Sequence, residues 1–275
     1  MVNKHVKETA SCVVEELDMF SDYLDRSIRI DVYLPASPEP GEALNVLLVN
    51  DGQDLPKMPF TQILDGLYKA NAIKPLVVVA MHCNADRLLE YGTADVLDFA
   101  HRGSRARYHR KFILQELIPA IRKRFNLRHA DKFGFAGFSL GGLSALDIAW
   151  KHPEYFNIAG IFSGSLWWRL RDLHDGYTET TDRIMHKLIR EGHFADGMRF
   201  FFMTGTLDET ADRNNNGIID SIDDTLDLIA ELETLGYANN GCDIEYLEMQ
   251  DGRHDVPTWG RAFPEFLQWA YGKQD

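Results

Sequence analysis

The run Gly137-Phe138-Ser139-Leu140-Gly141 constrains the fold of this chain more than any other stretch. The residues before it, Lys132-Phe133-Gly134-Phe135-Ala136, read as a short buried strand, and 142–150 read as a helix. A G-x-S-x-G between strand and helix forces a sharp turn that strains the serine backbone and pushes its Oγ clear of the sheet. Gly137 and Gly141 carry no Cβ, so the strand and the helix can approach each other closely around the turn. The pattern predicts a presented nucleophile at the end of a sheet strand.

Apolar runs of strand length fall at 12–17, 28–34, 45–50, 76–81, 132–138, 158–163, 199–204 and 243–249. The inner ones are almost unbroken Val, Leu, Ile and Phe, as a parallel sheet covered on both faces requires. Between them, Tyr108, Phe112, Leu117, Ile121 and Phe125 fall at helical spacing, as do Ile222, Leu226, Ile229 and Leu232 before Gly236. This alternation predicts the α/β class: a doubly wound, mostly parallel sheet with helices on both faces and ligands beyond the carboxyl ends of its strands. A length of 275 residues suits one such domain over 1–275, with the Pro-rich stretch 35–41 as a rigid surface connection inside it.

With 29 basic against 42 acidic residues the net charge is -13. Such a surface repels phosphate backbones and anionic lipid, so neither nucleic acid nor membrane is expected as a partner, and oligomeric state stays open. The cysteines, Cys12, Cys83 and Cys242, are far apart and form no C-x-x-C pair, so buried inert thiols are expected instead of disulfides or zinc. The first residues, Met1-Val2-Asn3-Lys4-His5, start no apolar leader, which makes a cytoplasmic location the expectation, with a secreted or periplasmic one not excluded.

A serine hydroxyl needs an imidazole to take its proton and a carboxylate to orient that imidazole. With a serine on this kind of turn the order along the chain is Ser, then Asp or Glu, then His. His254, after the last predicted strand, is the base. His109, His129 and His186 lie among polar helix residues and read as solvated; His82 ends a strand, in the pocket or on the surface. Asp208 follows the strand at 199–204 and is the preferred acid, with Glu209 as its rival. The oxyanion of acyl transfer needs two N–H donors. Leu140, directly after the nucleophile, supplies one, and Gln53 in the loop after the strand at 45–50 supplies the other.

With these residues in place, the chain resembles the putative-esterase family of α/β-hydrolases, which includes enterochelin-type siderophore esterases, feruloyl esterases, S-formylglutathione hydrolase and mycolyl transferases. The likeness covers nearly the whole chain. Asp51-Gly52-Gln53, Arg87-Leu88-Leu89-Glu90-Tyr91-Gly92, Glu116-Leu117-Ile118-Pro119 and the serine turn carry it. So do His152-Pro153-Glu154-Tyr155-Phe156, Ser163-Gly164-Ser165-Leu166-Trp167-Trp168 and 252–259. The resemblance implies an α/β-hydrolase fold, Ser139 as nucleophile, His254 as base, Gln53 and Leu140 as oxyanion donors, and Asp208 as the least uniform member. It also implies that Arg87, Glu90 and Tyr91 lie near the pocket mouth. Trp167 and Trp168 would floor an acyl or sugar site, one buried and one lining the cleft.

A second motif stands apart. Residues 212–223 match the calcium-loop pattern D-x-[DN]-x-[DN]-G with a carboxylate at the last ligand place. Asp212, Asn214 and Asn216 would give side-chain oxygens and Ile218 its carbonyl. Asp220 would bind directly or through water, Asp223 would close the site, and Ile219 would anchor the loop. Asp in place of Glu at the end, and no helix before the loop, make it more like a dockerin loop than an EF-hand. The competing reading is an Asn/Gly-rich turn capping the next helix.

The sequence therefore predicts a serine esterase acting on a small-molecule carboxylic ester through an acyl-enzyme. No cofactor is expected for catalysis, and calcium is a candidate structural ion. The alternatives are an acyltransferase of the same fold and a calcium-stabilised, non-catalytic binding protein. A metal-dependent hydrolase is disfavoured because no His-rich cluster lies near the 212–223 loop.

Overall fold

The computed structural model describes residues 11–36, 44–127 and 132–273, with the backbone of 2–8. Part of the 35–41 connection and His129 lie outside these residues. The chain enters through three antiparallel strands, β1 (Val2–Glu8), β2 (Cys12–Ser21) and β3 (Arg26–Pro35). Next come β4 (Asn45–Asn50), the 3-10 helix Gly52–Lys57, α1 (Phe60–Lys69), β5 (Leu76–Met81) and α2 (Arg87–Glu90). One long helical stretch follows, α3 (Ala106–Lys111), a π turn at Phe112–Leu117 and α4 (Ile118–Arg124). The second half runs β6 (Phe133–Phe138), α5 (Leu140–Lys151), β7 (Phe156–Phe162), α6 (Glu179–Asp182) and α7 (Ile184–Arg190). It closes with β8 (Arg199–Leu207), α8 (Asp220–Leu235), β9 (Ile244–Arg253) and α9 (Val256–Tyr271).

The strand order is β1-β2-β3-β5-β4-β6-β7-β8-β9, with β3 antiparallel to β5 and every pair from β5 to β9 parallel. Every expected strand is present. The sequence missed β1, a charged edge strand whose Lys4, His5, Lys7 and Glu8 hide the apolar signal. The inner strands are apolar throughout because both of their faces are covered. In β4, Val46 and Leu48 join one core while Leu47 and Val49 join the other. The first core holds Phe112 and Ile121 of the long helix, Leu143 of α5, Ile184 of α7 and Leu228 of α8. The second holds Phe60 and Leu64 of α1 and Trp259 and Phe263 of α9.

From β4 the chain steps to β5 on one side, whereas β6 lies on the other side of β4. The crevice where the order reverses is the standard place for a ligand in an open α/β sheet. The loop Asp51–Gln53 and the Ser139 turn both open onto it.

Candidate active site

Ser139 stands between β6 and α5 with φ 54° and ψ −122°, a backbone that a side-chain-bearing residue adopts only when its surroundings impose it. The surroundings do so with hydrogen bonds. The Ser139 N–H donates to the Phe162 carbonyl at 2.8 Å, and its own carbonyl accepts from Gly142 at 3.0 Å and Ser165 at 3.1 Å. A Cβ on Gly137 would stand 2.4 Å from the Gly141 carbonyl oxygen, so strand and helix touch backbone to backbone. Leu140 opens α5, and its N–H is among those that helix geometry leaves without an intrahelical acceptor.

The facing loop is built as firmly. Asp51 is buried in a left-handed conformation at φ 59° and is held bidentately by Arg87, whose Nε and Nη2 donate at 2.8 and 2.7 Å. Arg87 Nη2 also donates to the Phe138 carbonyl at 3.2 Å, tying the loop to the strand that carries Ser139. Asn50 does the same from beneath, giving its amide to the Gly141 carbonyl at 2.9 Å and pairing its Oδ1 with His109 Nε2 at 3.1 Å. The Gln53 side chain is anchored on Cys83: Nε2 donates to Sγ at 3.1 Å and Oε1 accepts the Cys83 N–H at 3.1 Å. Sequence reasoning assigned Asn50, Asp51 and His109 no role in the site; Asn50 and Asp51 at the end of β4 offered a polar signal, and His109 offered none.

Asp208 and His254 follow the ends of β8 and β9. Asp208 Oδ2 accepts the Gly205 N–H at 3.1 Å, while Oδ1 is buried with no hydrogen-bond partner. Burial pushes the Asp208 carboxyl pKa above its ordinary value, opposed by the Gly205 N–H, the neighbouring Ser163 hydroxyl and the charge of His254. His254 is exposed as a residue, with its ring edge-on to Trp259 at 5.4 Å. Even so, desolvation by the protein around the imidazole lowers its pKa; Asp208 and Asp255 pull the other way, and Arg87 adds to the lowering. The carboxyl pKa of Glu209, the rival acid, is raised above its ordinary value by burial, with Asp220, Asp224 and Asp208 adding to the rise.

Ser139 Oγ finds Ser165 Oγ at 3.4 Å. Among the described residues no hydrogen bond joins the His254 ring to Ser139 or to Asp208. Ser139 and His254 are linked instead through their neighbours: Phe138, next to Ser139, stacks on Trp259 at 4.9 Å, and Trp259 meets the His254 ring edge-on at 5.4 Å.

Several expectations need correction. Tyr91 is not at a pocket mouth; it is 2% exposed, and its hydroxyl accepts the Asp51 N–H at 3.3 Å. Glu90 is buried on Arg26, with bonds of 3.0 and 2.6 Å. Trp168 is wholly buried and cannot floor a pocket, whereas Trp167 is half-buried, with Arg102 stacked on both rings at 4.8 and 5.2 Å. His109 and His186 are buried, not solvated, and burial lowers both pKa values to about 3. His82 pairs with Asp31 at 2.8 Å. Cys242 is exposed, Cys83 is intermediate and only Cys12 is buried.

In the 212–223 loop the oxygens turn inward. Asp212 accepts the N–H groups of Asn216 at 3.1 Å and Gly217 at 2.9 Å, and Asp223 Oδ2 takes the amides of Asn214 at 2.6 Å and Asn216 at 3.1 Å. Asp220 faces away, accepting the Arg213 N–H at 2.9 Å and pairing with its guanidinium at 3.3 Å. Ile218 is exposed and Ile219 half-buried. Among the described residues no group of three or more His, Cys, Asp or Glu is gathered that could hold a metal ion. No helix there is long and apolar enough to cross a membrane.

The family model described as "Putative esterase" matches residues 21–270. An endo-1,4-beta-xylanase/feruloyl esterase of Xylanibacter ruminicola is 35% identical over 105 residues, 37% of this chain and 13% of that protein. The iron(III) enterobactin esterase of Escherichia coli K12 is 28% identical over 208 residues, 73% of this chain and 46% of that protein. The chain thus spans less than half the length of these curated relatives. Among solved structures, the enterobactin esterase from Shigella flexneri, in the presence of 2,3-di-hydroxy-N-benzoyl-glycine, aligns with TM-score 0.70 at 21% identity. That alignment covers 93% of this chain and 58% of that one. The likeness at this identity establishes the α/β-hydrolase fold.

Proposed function

Because the chain belongs to the family of esterases whose model spans residues 21–270, we propose that it hydrolyses a small-molecule carboxylic ester through an acyl-enzyme. Ser139 Oγ attacks the ester carbonyl as its proton passes to His254. The tetrahedral oxyanion rests on the N–H groups of Leu140 and Gln53. Collapse breaks the ester C–O bond, and His254 returns the proton to the departing alkoxide. Water then repeats the sequence on the acyl-enzyme and frees Ser139 and the acid. Asp208 orients the imidazole and offsets the positive charge that forms on it.

The observation that carries this reading is the backbone of Ser139, held at φ 54° with its hydroxyl at the open end of β6. A strained, hydrogen-bonded serine at the reversal of strand order has no packing role that would maintain it. A fluorophosphonate probe tests it: Ser139→Ala should abolish labelling, and undiminished labelling would overturn the assignment. Transfer to an acceptor alcohol remains the second reading, and product analysis with and without added alcohol separates it from hydrolysis.

We further propose calcium as a structural ion in the 212–223 loop. Asp212, Asn214, Asn216, the Ile218 carbonyl and Asp223 would hold it. Asp220, already committed to Arg213, would act through water. The D-x-N-x-N-G spacing of Asp212, Asn214, Asn216 and Gly217 supports this assignment, and the ion would stiffen the connection between β8 and α8 without entering the chemistry.

A further inference from the structure

Trp259, in the first turn of α9, touches the supports of all three proposed catalytic residues. Its ring stacks on Phe138, the residue before Ser139, at 4.9 Å and 17°, and meets the His254 ring edge-on at 5.4 Å. Its Nε1–H donates to Ser163 Oγ at 3.0 Å. Ser163 is 1% exposed and Trp259 6%, so water does not compete for this bond. The Ser163 backbone sits at φ 45°, in the left-handed region, with its N–H fixed on the Met203 carbonyl at 2.7 Å. A buried non-glycine residue held there is a cost that the surrounding structure must impose.

The indole N–H occupies a lone pair of the Ser163 hydroxyl and fixes its rotor. The Ser163 hydroxyl donates to the Met203 sulfur at 3.9 Å, with the Asp208 carboxylate as its neighbour. A carboxylate is by far the stronger acceptor. Asp208 meanwhile has one buried oxygen, Oδ1, without a partner.

We propose that Ser163 and Trp259 are positioning residues that act through Asp208: the indole N–H aims the Ser163 hydroxyl at the carboxylate, and the indole face sets the plane of His254. The proposal rests on the reading of Asp208 as the triad acid. Asp255 caps α9 through the Thr258 N–H at 2.9 Å, which places Trp259 rigidly in the turn directly after His254. One aromatic side chain thereby registers base, acid and nucleophile strand against one another.

The test compares Ser163→Ala, Trp259→Phe, Asp208→Asn and the double variant Ser163→Ala/Asp208→Asn on a chromogenic aryl ester. Trp259→Phe keeps a ring on Phe138 and His254 and removes only the donor. Losing a hydrogen bond to a buried carboxylate should lower kcat roughly 10-fold with KM nearly unchanged. The acidic limb of kcat/KM should move to higher pH, because the ionised carboxylate is no longer favoured over its protonated form. In the Asp208→Asn background Ser163→Ala should have no further effect. Wild-type kcat and an unmoved limb in both single variants, or losses that multiply in the double variant, would overturn the proposal. Full activity in Asp208→Asn would instead remove the acid assignment, and the proposal with it.

Discussion

Gly205 and Gly252 meet back to back where β8 and β9 end. A Cβ on Gly205 would stand 2.4 Å from the Gly252 carbonyl oxygen and 2.9 Å from Asp208 Oδ1. This contact draws the Asp208 and His254 loops together. Gly205→Ala should part the strands and cost about 1–3 kcal/mol of stability, as overpacking does. Activity measured well below Tm should fall through kcat more than KM. Gly66→Ala is the control: a Cβ there meets nothing within 4 Å in the middle of α1, so Tm should rise slightly.

The pH dependence of turnover has a definite sign. As the proposed base, His254 must be neutral to accept the Ser139 proton, and desolvation places its folded pKa below the ordinary imidazole value. A profile of kcat/KM should therefore rise with pH, reach half its maximum below about 6.5 and stay flat through neutrality. A midpoint above that value would contradict the geometry. Asp208→Asn, which removes a charge that raises the His254 pKa, should shift whatever activity remains to a lower midpoint.

Stability should respond to acid through two other imidazoles. His109 and His186 hold pKa values of about 3 in the fold because burial penalises their charged forms. The unfolded chain protonates them below about pH 6.5, so it binds more protons than the native state between there and about pH 3. Stability is complete above that window and is lost as pH falls through it. Melting curves from pH 7 to 4.5 should show the decline, and His109→Gln should flatten it whatever it does to Tm at neutrality.

Adjacent tryptophans should give opposite phenotypes. Trp168→Ala empties a wholly buried site and should cost about 3–5 kcal/mol, read as lost Tm. Trp167→Ala leaves the core intact and should instead change KM and the preference among aryl esters of increasing acyl length. Equal loss of Tm in both variants would deny Trp167 a place in the cleft.

Calcium, if held by the 212–223 loop, should raise Tm in proportion to the logarithm of its concentration above Kd. Asp223→Ala should abolish that rise while leaving kcat at 25 °C unchanged. A melting curve indifferent to calcium and to chelator would discard the ion.

Periodicity and turn chemistry made the parallel strands, α8 and the serine turn legible in the sequence, because each has a local cause: two covered faces, one amphipathic stripe, one glycine-framed serine. Side-chain direction was not legible in the same way. The family resemblance puts Tyr91 and Trp168 at the pocket, but their rings turn inward to fill the core beside Gly92, Gly103 and the long helix. His109 and His186 sit among charged helix residues, yet the helical period carries them to the inner face. Its place after a strand favours Asp208 over Glu209, but the Gly205–Gly252 contact that draws its loop toward that of His254 joins residues far apart in sequence and was not legible. The support from Ser163 and Trp259 was hidden for the same reason.

Arg183 and Arg213 both grip the buried carboxylate of Asp224, and Glu179 closes the cluster from α6. The stretch after β7, which carries Trp167, is therefore bolted to α8 by charges shielded from solvent. Transplanting that stretch alone from a homologue, in order to change which esters are accepted, would strand one of these ions in the interior. A workable chimaera would have to exchange α8 along with it.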